Sequence, residues 1–280
     1  ATALGLKARI ALVMEDWATA KESAKAAITA SGCQVLPVAS FAGLNNSAAA
    51  NVMWGAKIIS DQSTMYASFF SHMDADGSGY ANSGAYKQIS KVLYDEMDAK
   101  DTRRAWWDPT DARNGDCGYM QNKFKFADTQ TWTGDYIWMR VEEMYLTAAE
   151  AECRLGEEAA AKEDLNAVMS QRVEGYTCTK TGTALGKLTT DMTGSLLEEI
   201  ITQRRIELWG EIGRIYDIRR LKQGFIRTTE MGWPTAALLT NRPTDDPESY
   251  MWVLTIPQSE FDGNANMNPV TDQNPVGDTK

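Results

Sequence analysis

The sequence predicts a mainly α-helical protein in which helix pairs are separated by long irregular segments. Residues 1–31 and 136–225 repeat apolar side chains at the three- and four-residue spacing of amphipathic helices. Residues 32–135, between them, are rich in Gly, Ser, Asn and Asp, and their apolar periodicity is broken. Residues 226–280 hold six of the eight prolines, which favours irregular backbone. We expect the four segments to form one domain, residues 1–280.

The composition is that of a globular protein, and it argues against several functions. Hydrophobic residues make up 43% of the chain and charged residues 24%. Acidic residues outnumber basic ones, 38 to 28, and the net charge of −10 disfavours a nucleic-acid partner. The single histidine, His72, argues against Ser–His–Asp triads and multi-histidine metal sites. No apolar run approaches the roughly 18 residues of a membrane-spanning helix.

Residues 1–31 are predicted to form a helical hairpin. The first helix repeats apolar side chains on one face, at Ala3, Leu6, Ile10 and Val13. The second helix repeats them at Trp17, Ala20, Ala24, Ala27 and Ile28. Gly32 supplies a helix stop, and small residues on both helices allow close packing. Large and small side chains alternate here as they do in tetratricopeptide-type helix pairs.

Residues 32–135 carry 14 of the 26 aromatic residues, although only residues 87–98 are predicted to be helical. Core packing alone would not concentrate aromatic rings in a loop-rich stretch, so we expect some of them to face solvent or a ligand. Flat rings stack on the C–H faces of sugars, although Trp and Tyr also anchor protein interfaces. The candidate glycan-binding residues are Tyr66, Phe70, His72, Tyr80, Tyr86, Trp106, Trp107, Tyr119 and Trp132.

Each of these aromatic residues also has a structural interpretation. Aromatic side chains have an intermediate preference for burial, so a place in the core and a place in a site are both open for each one. Trp54, within residues 51–55, is interpreted as structural. For His72, a hydrogen bond to a ligand is possible, but a packing role is favoured.

Residues 74–82 partly match a calcium-binding loop. Asp74, Asp76 and Asn82 occupy ligand positions, but the twelfth position is Ala85, where a bidentate glutamate is needed. The loss of two ligand oxygens argues against a calcium site. We expect a polar turn that carries Tyr80 towards a pocket.

Residues 136–225 return to helical periodicity. One apolar stripe consists of Ile137, Val141, Met144, Ala148 and Ala151, and a second of Met139, Leu146, Ala149 and Cys153. A helix with two apolar sides is predicted to be sandwiched between other elements. Gly156 is expected to end this helix, residues 157–158 begin the next one, and Leu196 opens a third after a loop at 175–195.

The densest polar cluster lies at residues 203–220. It contains Arg204, Glu207, Arg214, Asp217 and Arg219. One interpretation is an anion site. The favoured interpretation is a network of ion pairs that fixes helix register, because buried charges persist only when they are paired. Further partners are expected from Arg140, Glu143 and Glu150.

The cysteines and carboxylates indicate no catalytic centre. Cys33, Cys117, Cys153 and Cys178 follow neither a CxxC nor a zinc-ligand spacing, and they fit free thiols or at most one or two disulfides. No carboxylate pair can be nominated for glycoside hydrolysis. A protein without enzymatic activity, metal or cofactor is therefore predicted.

Several motifs in the right order resemble the SusD/RagB family of Bacteroidetes nutrient-binding lipoproteins. Residues 135–151 are similar to its Asp-Tyr to Ala-Glu-Ala helix, and residues 166–172 to its Asn-x-Ile-Arg stretch. Residues 203–220 resemble its Arg-Arg-x-Glu-Leu to Asp-Leu-Arg-Arg signature, although Gln203 stands where the family has Glu. Residues 256–275 resemble its C-terminal Ile-Pro-Gln-Ser-Glu motif. The opening hairpin matches as well.

The resemblance implies a superhelix of tetratricopeptide-like pairs with ligand-binding loops between them. It implies non-catalytic capture of oligosaccharide or polysaccharide at the outer membrane and delivery to a SusC-like TonB-dependent transporter. The chain has no initiator Met and opens inside a predicted helix, so we expect a processed or truncated piece. The resemblance implies that it is about the C-terminal half of a lipoprotein whose anchor lies upstream. The alternative is a helical interaction scaffold whose central aromatics bind a protein or peptide.

Overall fold

The computed structural model describes residues 1–111, 113, 118–233, 235, 238, 245–247 and 249–276, with Met251 described by its backbone alone. The helices of this part of the chain are α1 (Thr2–Val13), α2 (Trp17–Ser31), α3 (Phe69–Met73), α4 (Lys91–Asp95), α5 (Val141–Arg154), α6 (Glu158–Met169), α7 (Leu196–Glu207), α8 (Arg214–Arg220) and α9 (Gln258–Gly263). The strands are β1 (Val52–Ala56), β2 (Trp107–Asp108), β3 (Met120–Gln121) and β4 (Tyr136–Arg140). None of the described helices has the length and apolar character needed to cross a membrane. The predicted mainly helical class is confirmed.

Two helical hairpins, α1–α2 and α5–α6, stack side by side and form the scaffold. Helix α2 packs against α5, and α7 packs on α5 as well, so α5 is sandwiched as predicted. The contact surface between the hairpins consists of small side chains, because Ala24, Ala27 and Ala148 are fully buried in one cluster. Such small residues let the helix axes approach closely. The predicted helix pairs are therefore confirmed.

The buried face of α1 is not the one that its large apolar residues predict. Gly5, Ala8, Ala11 and Leu12 face the scaffold. Leu6, Ile10 and Val13 lie outside, with exposed fractions of 37, 61 and 52%. A Cβ atom at Gly5 would lie 2.3 Å from the sulfur of Met139, so only small residues fit this close contact.

The long helix of the second hairpin begins later than predicted, because residues 136–140 form strand β4. This strand pairs antiparallel with β1, and Trp54 of β1 lies opposite Met139. The rings of Trp54 and Trp138 contact each other edge to face at 4.9 Å, which supports the structural interpretation of Trp54. The β-branched and aromatic residues of β4 suit a pleated, half-buried strand better than a helix.

The helix predicted at residues 87–98 is reduced to the five residues of α4. The preceding residues bridge to β3 instead, and the Ile89 amide donates to the Tyr119 carbonyl. The expected helix ends and starts are confirmed elsewhere. Gly32 and Gly156 adopt positive φ after α2 and α5, and the Ser195 hydroxyl accepts a hydrogen bond from the Glu198 amide at the start of α7.

A buried ion-pair network joins the central segment to the scaffold. Glu207, at the end of α7, accepts hydrogen bonds from Arg172, Arg140 and Arg103 at 2.8–3.3 Å. Burial alone raises the pKa of Glu207, but these three guanidinium groups hold it well below its usual range. Arg103 also pairs with Asp101 at 2.6 Å. All of these side chains are nearly or fully buried.

The predicted network at residues 203–220 is confirmed, but several of its pairs differ from the expected ones. Asp217 pairs with Arg204 at 3.1 Å and with Arg220 at 2.8 Å. Glu150 pairs with Arg220, whereas Glu143 pairs with Arg9 of α1. Arg219, an expected member, lies exposed on α8. Asp217 thus pairs within α8, with Arg220 and more distantly with Arg214, and across to Arg204 of α7, whereas Glu207 turns to arginines outside this segment.

The described cysteines are free thiols. These are Cys33, Cys153 and Cys178. Burial raises the pKa of the Cys153 thiol to about 11, so it stays protonated. Cys117 lies outside the described residues.

One carboxylate between the hairpins is expected to make stability depend on pH. Lys25 of α2 lies 2.9 Å from both Glu152 of α5 and Asp164 of α6. Burial, together with repulsion from Asp164, raises the pKa of Glu152 to about 7. The folded state therefore binds a proton more tightly than the unfolded state, and stability should fall as pH rises from about 4.5 to 7.

Replacing Glu152 with glutamine should remove this fall. Relative to the wild type, E152Q should gain roughly 1–3 kcal/mol of unfolding free energy between pH 4.5 and 8, since one pKa unit corresponds to about 1.4 kcal/mol. Urea unfolding across this pH range measures the difference. Glu22→Gln, at an exposed position of α2, is the control. Parallel stability curves for E152Q and the wild type would contradict the expectation.

Candidate functional site

A set of exposed aromatic rings surrounds the short helix α3. Tyr66, Phe69 and Tyr80 have exposed fractions of 57, 37 and 49%, and His72 is exposed as well. The rings of His72 and Tyr80 lie 5.0 Å apart and tilted by 46°. We name these four residues the α3 patch. It contains three of the nine candidate residues, Tyr66, His72 and Tyr80.

Local hydrogen bonds explain why these rings point outward. The Ser68 hydroxyl caps α3 by accepting from the Ser71 amide, and the Ser71 hydroxyl accepts from the Tyr80 amide at 3.0 Å. A Cβ atom at Gly79 would lie 2.7 Å from the Ser71 oxygen and 3.0 Å from the Met65 carbonyl. Only glycine fits this close approach. It brings the backbone next to Tyr80 into contact with the backbone next to Tyr66.

Residues 74–82 form a polar turn at the edge of the α3 patch. One Asp74 carboxylate oxygen accepts from the Asp76 and Gly77 amides, and the other accepts from the Phe126 amide at 2.9 Å. Asp76 pairs with Lys125 and with Arg113, and the hydrogen bond from Lys125 lowers its pKa. These carboxylates therefore bind backbone amides and cations of the protein itself, which supports the polar-turn interpretation.

A small pocket lies next to the α3 patch. It has a volume of about 180 Å³, and Phe69, Tyr136 and Trp138 supply its aromatic walls. Glu211 supplies a carboxylate, which Arg140 and Lys123 hold in place. Ring surface beside a fixed carboxylate suits a ligand that carries both C–H faces and hydroxyl groups.

Three of the nine candidates are core residues, so their prediction as ligand contacts is wrong. Phe70, Trp106 and Trp107 are 1, 4 and 2% exposed. They belong to one hydrophobic cluster with Phe41 and Phe124. A segment with such short helices and strands has few long apolar faces to bury, so large rings form its core. Much of the aromatic excess at residues 32–135 is explained in this way.

The other three candidates, Tyr86, Tyr119 and Trp132, are half-buried. Tyr119 packs edge to face on Tyr94 at 5.1 Å, and Trp132 packs on Phe126 at 5.7 Å. Tyr119 and Trp132 both have a φ of +58°, a conformation that costs energy in residues other than glycine. The structure does not bring these three residues into the α3 patch.

Sequence reasoning missed Phe69, Tyr136 and Trp138 as site residues. Phe69 and Phe70 are neighbours in sequence, and a helix of five residues gives no periodicity that distinguishes the exposed ring from the buried one. Tyr136 and Trp138 were assigned to a helix. Burial along β4 does not alternate, since Met139 and Arg140 are both buried, so no two-residue pattern in the sequence distinguishes the exposed ring of Trp138.

The fold and the patch define a class of protein, a scaffold of tetratricopeptide-like hairpins with an aromatic-rich segment inserted between them. Residues 105–276 match the sequence model of the SusD family. The chain belongs to this family. No curated protein sequence matches the chain.

Solved structures of SusD-like proteins share this fold. A SusD-like carbohydrate-binding protein from Bacteroides vulgatus matches with a TM-score of 0.72 at 24% identity, over 94% of this chain and 58% of its own. A SusD superfamily protein from Bacteroides thetaiotaomicron matches with a TM-score of 0.68 at 23% identity, over 98% and 60%. Surface glycan-binding protein A from Bacteroides uniformis matches with a TM-score of 0.65 at 19% identity, over 97% and 60%. The chain thus spans about three fifths of these proteins.

Proposed function

We propose that this protein binds oligosaccharide or polysaccharide at the α3 patch without cleaving it. The observation that carries the proposal is the open ring surface of Tyr66 and Tyr80, next to His72 and the polar turn at residues 74–82. Membership of the SusD family supports it. The solved relatives described as carbohydrate- or glycan-binding proteins support it as well.

Binding would combine ring stacking with hydrogen bonds. Aromatic faces bury the C–H surface of a sugar ring, and a stacked contact contributes about 0.5–1.5 kcal/mol beyond the buried area. The His72 imidazole and the Asn82 amide supply polar groups at the same edge. Asn82 holds the turn through a hydrogen bond from its amide nitrogen to the Ala75 carbonyl, so its oxygen can accept from a hydroxyl.

The wider role proposed here follows from the family. A member of this family would act at the cell surface, held on the outer membrane by a lipid anchor upstream of residue 1. It would pass its ligand to a SusC-like TonB-dependent transporter. The stacked hairpins α1–α2 and α5–α6 would then serve as the rigid body that docks on the transporter.

Removing both rings should weaken sugar binding strongly. In the double variant Tyr66→Ala/Tyr80→Ala, the affinity for the oligosaccharide that the wild type binds most tightly is expected to fall by about 10–100-fold, since two stacking contacts of this size are lost. Isothermal titration against a panel of plant, host and microbial oligosaccharides measures the effect. Tyr216→Ala is the matched control, because Tyr216 is 63% exposed on α8 and lies outside the patch.

The outcomes of this titration separate the two proposed roles. Unchanged sugar affinity in the double variant would overturn the α3 patch as the glycan site. Loss of transporter binding in the same variant, with sugar binding intact, would favour the alternative role as an interaction scaffold. Sugar release that one carboxylate substitution abolishes would contradict the absence of catalysis.

A further inference from the structure

A second, larger cavity lies on the other side of the turn that follows α7. It has a volume of about 550 Å³, within the range of small-molecule sites. Its walls come from α4, the end of α7, helix α8 and residues 225–233. The four rings of the α3 patch are not among the described lining residues, although Gly210 and Glu211 also line the small pocket beside the patch.

Basic side chains outnumber acidic ones in the otherwise largely apolar wall of this cavity. Among the described lining residues, five are basic, namely Lys87, Arg204, Arg205, Arg214 and Arg227. Two are acidic, Glu211 and Asp217. An excess of positive charge in a concave, partly desolvated space attracts an anion.

The two carboxylates of the wall are already engaged by other residues. Glu211 accepts from Arg140 at 2.7 and 2.8 Å and from Lys123 at 2.6 Å. Asp217 accepts from Arg204 at 3.1 Å and from Arg220 at 2.8 Å. Arg205 is paired with Glu96 at 3.9 Å, and among the other described wall cations Lys87, Arg214 and Arg227 have no described carboxylate at hydrogen-bond distance.

Arg214 has buried donors that no described protein atom satisfies. Both terminal nitrogens of its guanidinium are buried and have no hydrogen-bond partner. The Asp217 carboxylate lies 3.8 Å from Nη1, which is an ion pair beyond hydrogen-bond distance. Burial, followed by repulsion from Arg205, lowers the pKa of Arg214 to about 9. Buried donors without an acceptor are costly, so an acceptor in the cavity would stabilise these two nitrogens.

Arg227 lies on the same wall and is positioned by aromatic rings. Its guanidinium carbon is 4.4 Å from the Trp233 ring centroid and 5.1 Å from that of Phe225. Its buried Nε atom has no hydrogen-bond partner in the described structure. Trp209 adds further ring surface to the wall. Guanidinium groups match a planar carboxylate, and indole rings match the face of a sugar.

We infer that this cavity binds the carboxylate of an acidic sugar of up to about disaccharide size. Arg214 and Arg227 would donate to the carboxylate, and the tryptophan rings would cover the sugar ring. Arg214, Arg227 and the tryptophan rings are not members of the α3 patch, so variants of the two sites can be tested separately.

Isothermal titration of the full chain with digalacturonate, and with the neutral disaccharide galactobiose, tests the inference. Digalacturonate is expected to bind at least tenfold more tightly than galactobiose. Arg214→Gln should lower the affinity for digalacturonate by about 10–100-fold, because charge-assisted hydrogen bonds are lost. Arg219→Gln, an exposed arginine on the same helix, should change the affinity by less than about twofold.

A thermal melt separates a binding role for Arg214 from a structural one. Asp217 keeps Arg204 and Arg220 when Arg214 is replaced, so R214Q should melt at the same temperature as the wild type or higher. Equal affinities for the two disaccharides, no heat with digalacturonate, or unchanged affinity in R214Q would overturn the inference. The inference would also be overturned if R214Q melted at a lower temperature and lost affinity for both disaccharides equally. Both sites would be supported independently by two results together. Tyr66→Ala/Tyr80→Ala would lose binding of the neutral glycan, and R214Q would lose binding of digalacturonate but keep binding of the neutral glycan.

Discussion

Replacing Glu207 with glutamine is expected to cost about 3–5 kcal/mol of unfolding free energy, the cost of removing one partner from a buried ion network. Glutamine keeps the shape of the side chain but removes the charge. Arg103, Arg140 and Arg172 would then face each other in the interior with too few carboxylates. Urea unfolding followed by circular dichroism measures the loss.

An exposed ion pair provides the control for this variant. Glu157 pairs with Lys21 at 2.8 Å, and its side chain is 44% exposed. Glu157→Gln should cost less than about 1 kcal/mol, because solvent screens such pairs. A loss below about 1 kcal/mol in E207Q would mean that the three arginines find other partners, and the network would not be what joins the central segment to the scaffold.

Replacing Phe70 with alanine is expected to cost about 3–5 kcal/mol, the usual cost of truncating a buried phenylalanine. Phe70 is 1% exposed and contacts Phe69, Phe126 and Tyr136. Its ring also covers Gly134, where a Cβ atom would lie 2.6 Å from it. Chemical denaturation gives the change in unfolding free energy.

The neighbouring residue makes a matched control for this second variant. Phe69→Ala removes the same side chain from the same helix, but Phe69 is 37% exposed, so about 1–2 kcal/mol is expected. Sugar affinity should respond in the opposite order, with the larger loss in F69A. Equal destabilisation by the two variants would contradict the assignment of one ring to the core and the other to the surface.

The scaffold was largely predictable from the sequence. Helix stops such as Gly32 and Gly156, and small residues such as Ala24 and Ala148, have direct local consequences for backbone conformation and packing. The resemblance of several motifs in the right order added the family, which is confirmed over residues 105–276. The face of α1 was predicted wrongly, because close contact selects small residues rather than large ones.

The candidate site was much less predictable. Aromatic density identified the right segment, but burial within it is decided by contacts far apart in the chain. Trp107 packs against Trp209, for example, about a hundred residues away. The ion pairs show the same limit. The pairs of Asp217 with Arg204 and Arg214 follow the predicted network, whereas the partners of Glu207, Arg103, Arg140 and Arg172, lie far away in sequence.

Residues 32–135 are inserted between the two stacked hairpins, and their anchoring residues and their exposed rings are different residues. The segment leaves the scaffold after Gly32 and returns through β4, and charged anchors such as Asp101 and Arg103 tie it down inside. Surface rings at positions such as Tyr66 and Tyr80 take no part in those anchors. An outward side chain of this segment can therefore be exchanged without disturbing the buried charges that fasten it to the hairpins.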